Sequence, residues 1–466
     1  MTSSQQIRFD EDLVRRYDRS GPRYTSYPTA VQFTDRFGIP EYRGVALASN
    51  QEQLPRQLSL YVHIPFCSSP CFYCGCTKVI TRNHEKAEAY LYRLYREIEM
   101  QGALYDRSRV VEQLHFGGGT PTFLTSPEIE HLVGTLGTHF QLSTHEDREF
   151  SIELDPRTIT TDTLRDLHRI GFNRCSLGVQ DFDPAVQEAV NRIQSVPDTL
   201  RLIRDAREIG FNSVSVDLIY GLPKQSVEGF GRTLDTVLAA RPNRFAVYGY
   251  AHLPQMFKPQ KQIKVEDLAT PETRLKLLGL TIEKLSEAGY VYIGMDHFAL
   301  PEDELVVAQQ NGTLHRNFQG YSTRGYLDLV GLGVSSIGKV GDNYIQNLKT
   351  LPEYYGALDR GELPVHRGYT MTTDDVIRRD VIQQIMCYGV LDFEATARRH
   401  RIDFHQYFGN ELVTLEPMVS DGLAAWAEPG LRVTPAGRLL LRHLAMAFDA
   451  YLPGVQASGQ RFSKAI

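Results

Sequence analysis

Residues 61–78 read "YVHIPFCSSPCFYCGCTK" and place four of the chain's six cysteines, Cys67, Cys71, Cys74 and Cys76, within ten positions. The run before them, "LSLYVHIPF" (58–66), is apolar and β-branched enough to be a strand. A dense group of thiols on the loop that leaves a strand is a ligand set. The other two, Cys175 and Cys387, stand alone and read as small buried apolar residues.

Working outward, strand-like runs recur at 112–116, 149–155, 174–179, 213–220 and 244–250. Helical stretches separate them. "HEKAEAYLYRLYREIEMQG" (84–102) repeats its apolar positions at helical spacing and ends on glycine. The stretch 126–140 opens with Ser126 as the expected N-cap and Pro127 in the first turn. The stretches 196–211 and 226–240 follow the same plan. Six strand–helix alternations predict a parallel sheet with helices outside it, an α/β fold closing part of a (β/α)6 TIM-like barrel. In such folds the chemistry sits at the C-terminal strand ends. The expected division is an N-terminal arm (1–55), the partial barrel (56–290), a barrel extension with active-site loops (291–365) and a mostly helical C-terminal domain (366–466). A segment within the last, "DGLAAWAEPGLRVTPAGRLLLRHL", has the strand pair and helix of a winged helix.

Composition narrows the partners. The 466 residues are 42% hydrophobic and 23% charged, with a formal net charge of −6. That balance gives no general attraction to nucleic acid or an anionic membrane. It also speaks against the winged-helix segment as a DNA binder. No apolar run is long enough to span a bilayer, and the polar start lacks the apolar core of a signal peptide. Clustered thiols outside a disulfide framework fit a reducing compartment, so a cytoplasmic location is expected. Nothing in the pattern argues for an assembly, so a monomer is expected.

Thiolates take soft or borderline metals: zinc, copper(I) or iron–sulfur clusters. Structural zinc takes paired CxxC units or histidines, and no second CxxC exists here. A C-x3-C-x2-C loop suits three corners of a cubane [4Fe–4S] cluster, leaving one iron open to a substrate or cofactor. Cys76 offers a fourth thiolate, but with only Gly75 between it and Cys74 it has a short reach to a separate corner. "HFGGGTPTFL" (115–124) gives close backbone approach at a strand end, yet it has neither GxGxxG spacing nor the lysine of a P-loop.

The cysteine loop, with Tyr73 before its third cysteine, resembles that of the radical S-adenosylmethionine enzymes. The glycine-rich loop is similar to that superfamily's methionine-binding GGE-type motif, although Gly118-Gly119-Thr120 has no glutamate. The ordered series "GPRYTSYPTA", "YVHIPFC…CGCTK", "GGGTPT", "IELDPR", "GVQDF", "VNRIQ", "DLIYGLPKQ", "YAHLP", "GMDHFA", "HRNFQGY" and "IRRDVI" resembles the oxygen-independent coproporphyrinogen III oxidases of haem biosynthesis. The resemblance runs from about residue 15 to the C-terminus. Related haem chaperones share the radical core and are the alternative. They typically lack the cysteine at position 76 and the 20–30 arm, both present here. A plain iron–sulfur electron carrier would need four cysteine ligands.

The resemblance implies a [4Fe–4S] cluster on Cys67, Cys71 and Cys74, and two S-adenosylmethionine molecules. Tyr61, Gly118, Glu153 and Ile337 match contacts to the cluster-bound one. Tyr73, Gly119, Thr120, Gln180, Arg192, Asp217 and Ala251 match contacts to the second. It implies that a 5′-deoxyadenosyl radical takes a hydrogen from a propionate of coproporphyrinogen III. Loss of carbon dioxide and one electron then leaves a vinyl group, and two such events give protoporphyrinogen IX. The electron donor and acceptor are not identified by the sequence. Four substrate carboxylates call for cations. Arg23 and Arg316 are the first candidates, and Arg378 or Arg379 follow. His63 and His115 read as satisfied core histidines, while His297 and Tyr321 are candidates for the site. Cys76 is expected near the cluster or substrate, supporting turnover.

Overall fold

In the computed structural model, which describes residues 7–457, the first cysteine loop hangs from a parallel sheet. Residues 1–6 of the polar start and 458–466 of the C-terminal domain lie outside the described residues. The sheet's centre is six strands: β1 (Leu58–Ile64), β2 (Val110–Gly118), β3 (Glu149–Leu154), β4 (Arg174–Gln180), β5 (Ser213–Tyr220) and β6 (Arg244–Gly249). Each pairs in parallel with the next. This is the partial (β/α)6 barrel expected from the alternation.

The strands carry two residue patterns at once. Outward positions such as Ile152, Leu154, Val214 and Val216 are apolar and buried under helices. Inward positions such as Ser151, Glu153, Ser215 and Asp217 are polar and only partly buried. Successive side chains point to opposite faces, so this alternation builds a greasy outer layer and a polar lumen. The helices α1 (Glu85–Gly102), α2 (Ser126–His139), α3 (Thr161–Ile170), α4 (Val196–Ile209), α5 (Val227–Ala239) and α6 (Pro271–Glu287) cover the outside.

The N-cap of α2 is Thr125, not Ser126: its side chain accepts from Glu128 N–H, and Glu128 bonds back to Thr125 N–H. That reciprocal capping box satisfies two orphan donors, which Ser126 one position later would not. Glycines at the ends of α3 and α4, Gly171 (φ 123°) and Gly210 (φ 114°), take the positive φ of a helix stop.

The sheet grows beyond both edges without closing. Beside β6 lie β7 (Val291–Gly294) and β8 (His297–Ala299), both joined by antiparallel pairing. A hairpin of β9 (His315–Asn317) and β10 (Gly320–Ser322) follows. Then β11 (Asp328–Leu332) joins β1 in parallel, and β12 (Ile337–Val340), β13 (Asn343–Asn347) and β14 (Val365–Thr370) continue as an antiparallel meander.

Helix α7 (Thr373–Tyr388) opens the helical part. That part also holds a small antiparallel sheet of β15 (Val390–Asp392), β16 (Ala424–Ala427) and β17 (Gly430–Val433). The arm does not float. Val14, Tyr17, Tyr24 and Tyr27 share one apolar core with Ile377, Val381, Leu441 and Leu444. Tyr24 also donates to Asp449 at 3.0 Å. Cys175 and Cys387 are buried, as small apolar residues would be. Among the described residues no helix is long and apolar enough to cross a membrane.

Candidate active site

The cysteine loop follows β1 directly, so the C-terminal strand ends aim at it. A cavity of about 340 Å³ is lined by Cys67, Cys71, Cys74 and Cys76 on one side. Gly118, Gly119, Thr120, Glu153, Gln180, Arg192 and Asp217 line the other side. None of the four cysteines is in a disulfide.

The loop is fastened from several directions. His63 Nε2 donates to Thr77 O at 3.0 Å and its Nδ1 meets Tyr61 Oη at 3.1 Å, so it pins the loop's end to β1. Gln260 Nε2 donates to Tyr73 O at 2.8 Å and to Ala251 O at 3.2 Å. Ala251 therefore reaches the loop through Gln260; it is not among the residues lining the cavity. The ring of Phe257 covers Gly75 so closely that a Cβ there would stand 3.0 Å from it.

The thiols sit in different fields. Burial pushes Cys67 up to about 11. The hydrogen bond with Cys76, aided by Lys78, pulls Cys74 down to about 5. Thr120 Oγ1 lies 3.5 Å from Cys67 Sγ. Arg157 and Arg192 approach Cys71 Sγ at 3.5 and 3.4 Å.

Arg192 is almost wholly buried and lies against Asp155 at 3.2 Å. Its Nε is buried with no partner. The donor set therefore fits a soft metal cluster and a bound molecule carrying acceptors. Three thiols share one cavity, and an orphaned guanidinium N–H lies in the residue that lines it. Gly118 holds φ at 116°, and a Cβ there would stand 2.6 Å from the His63 ring. Only glycine keeps both that turn and that histidine.

A second cavity, of about 540 Å³, fills the lumen of the barrel. Tyr61, His115, Ser151, Tyr248, His297, Tyr321 and Ile337 are in its wall. Glu153, Ser176 and Asp217 line both cavities, so the two meet at β3, β4 and β5. Glu153 and Gln180 sit at strand ends. Asp217 does not: β5 runs on to Tyr220, and Asp217 faces inward from within it.

Burial pushes Glu153 up, but His115 at 3.3 Å and the Gly118 N–H at 3.2 Å outweigh it and hold the carboxyl below its ordinary value. Asp217 lacks such donors, and burial plus the charge of Glu153 lift it to about 7. Ring stacking of Tyr61 on His115, with centroids 5.8 Å apart, continues the wall. His115 is satisfied by Ser151 and Glu153, yet it also lines the lumen, which a core reading missed.

The arginines in the lumen's own wall, Arg174 and Arg244, are held by Glu304, and Arg244 also by Asp303, while two more arginines stand behind rings of that wall. Arg316 stands over the Tyr321 ring at 4.8 Å and Arg23 over Tyr248 at 5.8 Å. Arg23 pairs with Asp296, and Arg316 Nε donates to the Arg23 carbonyl at 3.2 Å. The Tyr321 hydroxyl donates to Met386 O at 2.9 Å, so the cavity meets its ring. His297 is driven down to about 3 by burial and the arginine charges, hence neutral, and its Nδ1 has no partner. The other arginine candidates are already engaged: Arg378 holds Asp374 and Glu411, and Arg379 holds Asp342.

A thiol triad on the loop after the first strand of a partial barrel, above a strand-end acid, defines a radical S-adenosylmethionine enzyme, and residues 61–237 match the Radical SAM superfamily. Whole-chain similarity is narrower. The chain is 49% identical over 460 residues to the oxygen-independent coproporphyrinogen III oxidase of Pseudomonas aeruginosa, covering 99% of each. It is 48% identical over 464 residues to that of Salmonella typhimurium, covering 100% of each. The solved coproporphyrinogen III oxidase from Escherichia coli, a radical SAM enzyme, superposes with a TM-score of 0.90 at 47% identity, covering 96% of this chain and 100% of that one. The chain belongs to the oxygen-independent coproporphyrinogen III oxidase family.

Proposed function

We propose that this protein converts two propionate side chains of coproporphyrinogen III to vinyl groups, giving protoporphyrinogen IX in haem biosynthesis without oxygen. The observation that carries this reading is the wall shared by a thiol-lined cavity and a lumen, at Glu153, Ser176 and Asp217, with Arg23 and Arg316 standing over lumen rings Tyr248 and Tyr321. Chemistry begun on the cysteine side has a direct path to a polycarboxylate held on the other.

Cys67, Cys71 and Cys74 would hold three irons of a [4Fe–4S] cluster. S-adenosylmethionine at the open iron supplies the hydrogen-abstracting power when bound. Tyr61, Gly118, Glu153 and Ile337 would hold that molecule. Glu153, kept ionised by His115 and Gly118, offers a carboxylate to its cationic or hydroxyl groups. Tyr73, Gly119, Thr120, Gln180, Arg192 and Asp217 would hold a second molecule, with Ala251 acting through Gln260. The orphaned Arg192 Nε is a donor to it.

Arg23 and Arg316 would meet substrate carboxylates, with the Tyr321 ring and neutral His297 as the apolar-to-polar wall beside them. Each propionate loses one hydrogen atom from its β-carbon and its carboxylate as carbon dioxide, and one electron passes to an acceptor outside the chain. A one-electron donor, also outside it, is needed to start each event. We further propose a cytoplasmic monomer whose arm, barrel, extension and helical part act as one catalytic unit.

The test is anaerobic turnover. The cluster is reconstituted, S-adenosylmethionine, a reductant, an electron acceptor and coproporphyrinogen III are added, and product mass is followed. Two successive losses of carbon dioxide, with 5′-deoxyadenosine formed, are expected. Stoichiometric haem binding with no decarboxylation would overturn the reading in favour of a haem chaperone.

A further inference from the structure

The cysteine loop has an outer side that none of the chemistry above uses. Two segments frame it. Phe66–Cys67 pairs in parallel with Val79–Ile80, which sets Ile80 opposite Cys67. On the other flank a 3₁₀ turn, Lys258–Gln262, is tied to the loop: Gln260 Nε2 donates to Tyr73 O at 2.8 Å, and the Phe257 ring packs against Gly75. The tip of the loop, Gly75, Cys76 and Thr77, is exposed.

The chain is acidic overall, with a formal net charge of −6, but this rim is not. Residues 68–84 carry Lys78 and Arg82, and residues 252–265 carry Lys258, Lys261 and Lys264; neither stretch holds an aspartate or a glutamate. Acids resume only at Glu85 and Glu266. Lys78 is engaged, donating to Cys74 O at 3.1 Å. Arg82, Lys258, Lys261 and Lys264 are exposed, and among the described residues none of them is in an ion pair. Elsewhere exposed arginines are held: Arg169 by Glu130, Arg360 by Glu362 and Arg399 by Asp380. Apolar side chains lie among the free cations. Met256 is 63% exposed, Val265 66% and Ile80 40%. Aliphatic groups set among unpaired cations have the make-up of a protein interface whose partner is acidic.

We propose that this face docks a small acidic protein carrying a one-electron cofactor, and that the electron starting each turnover enters here, beside Cys74 and Cys76. The inference rests on the oxidase reading, which requires a donor outside the chain, and extends it by giving that donor a docking face and a charge. In the step itself the docked carrier loses one electron and the cluster on the three thiolates gains it; no proton moves and no bond is made. The chain's net charge would repel an acidic carrier. A local cationic rim is what steers such a carrier to the one loop that holds the cluster ligands. Nucleic acid is the rival ligand for a cationic rim. The exposed apolar groups here are aliphatic, whereas unpaired bases stack on aromatic rings, so the face suits a protein.

The test uses the reconstituted enzyme with S-adenosylmethionine and two reductants. One is flavodoxin, an acidic flavin protein, reduced beforehand. The other is the methyl viologen radical cation, a small molecule that needs no docking face. The variant combines Lys258→Glu, Lys261→Glu and Lys264→Glu, all exposed and none assigned to cofactor or substrate. Binding of oxidised flavodoxin, read by calorimetry at low salt, should weaken at least about 10-fold, and flavodoxin-driven formation of 5′-deoxyadenosine should slow by a similar factor. Iron content and the viologen-driven rate should stay within about twofold of wild type. Added salt should weaken the wild-type complex and narrow the gap between the two proteins. Met256→Asp, in the apolar part of the face, should show the same split between reductants and decides the matter if the triple variant fails to fold. Unchanged flavodoxin binding and rate in the variants overturn the docking face. So does a rate that falls equally with both reductants, or a wild-type enzyme that turns over with viologen but takes no electron from flavodoxin. Tighter binding of a single-stranded RNA oligonucleotide than of flavodoxin through the same lysines would give the face to nucleic acid instead. If wild type forms no 5′-deoxyadenosine even with viologen, the oxidase reading falls first; if it does and the variants match it with both reductants, the docking face alone falls.

Discussion

Glu153 and Asp217 stand two strands apart in the wall common to the two cavities, and they are held in opposite protonation regimes. Glu153 is kept ionised by His115 and the Gly118 N–H, while Asp217, beside that negative charge and without donors of its own, rises to about 7. A pair split in this way is a mark of a working site. One member offers a fixed anion and the other a carboxyl that still carries its proton near neutrality.

The pair makes a prediction about pH. Folded Asp217 keeps its proton up to about 7, whereas the unfolded chain releases it near the ordinary 3.8. Between those values the folded state binds more protons. The stability Asp217 contributes is thus full below about pH 4 and is lost as pH rises through 7. Asp217→Asn removes this titration. Thermal melting of the cluster-free protein should fall less steeply for the variant than for wild type between about pH 4 and 7. Parallel slopes would show that Asp217 ionises normally.

Glu153→Gln tests the other member. It keeps the shape but removes the charge that Gly118 N–H and His115 meet. Iron and sulfide content should match wild type, because the thiols are untouched. Affinity for S-adenosylmethionine should fall about 10- to 100-fold, the range for losing a charge-assisted contact. Equilibrium dialysis of the reconstituted protein against the labelled molecule measures this, and unaltered affinity would remove Glu153 from the binding set.

Legibility of the sequence was uneven, for physical reasons. The six central strands and their helices were readable because each strand's outward residues, such as Ile152 and Val216, repeat against polar inward ones. The cysteine loop was readable because its ligands are adjacent in the chain. The edge strands at 291–299 and 328–370 were not: they are short, and only pairing with β6 and β1 makes them strands. Ser126 was favoured over Thr125 as a cap because it directly precedes Pro127, although the glutamate three residues on, Glu128, fits only the Thr125 frame. The burial of Arg442, on the helix Leu441–Met446, was invisible for a deeper reason: only 2% of it is exposed, and its Nη1 donates to Gly21 O at 3.2 Å. In sequence Arg442 is an arginine on a helix, which reads as solvent-facing; its burial comes from the arm, more than 400 residues away, folding across it.

Cys76 separates ligand from neighbour. Its N–H lies 3.4 Å from Cys74 Sγ, and it lines the cofactor cavity beside the three candidate ligands. Serine at Cys67, Cys71 or Cys74 should abolish the cluster's visible absorbance after anaerobic reconstitution. Cys76→Ser should retain iron and absorbance while turnover falls at least about tenfold. Normal turnover in that variant would deny Cys76 any part in the reaction, and loss of absorbance would make it a ligand.

Gly118→Ala tests how the glycine loop and the cysteine loop depend on each other. The new Cβ would stand 2.6 Å from the His63 ring, at a φ of 116° that alanine resists. His63 must then leave Tyr61 or the Thr77 carbonyl, which frees the end of the cysteine loop. Backbone strain and overpacking together should cost about 2–4 kcal/mol of stability. Denaturant unfolding of the cluster-free protein measures that loss, and reconstitution measures a second effect, a cluster that forms but decays faster than wild type. A variant that is destabilised yet holds its cluster as long as wild type would show that the two loops are independent, and that His63 is a core histidine and nothing more.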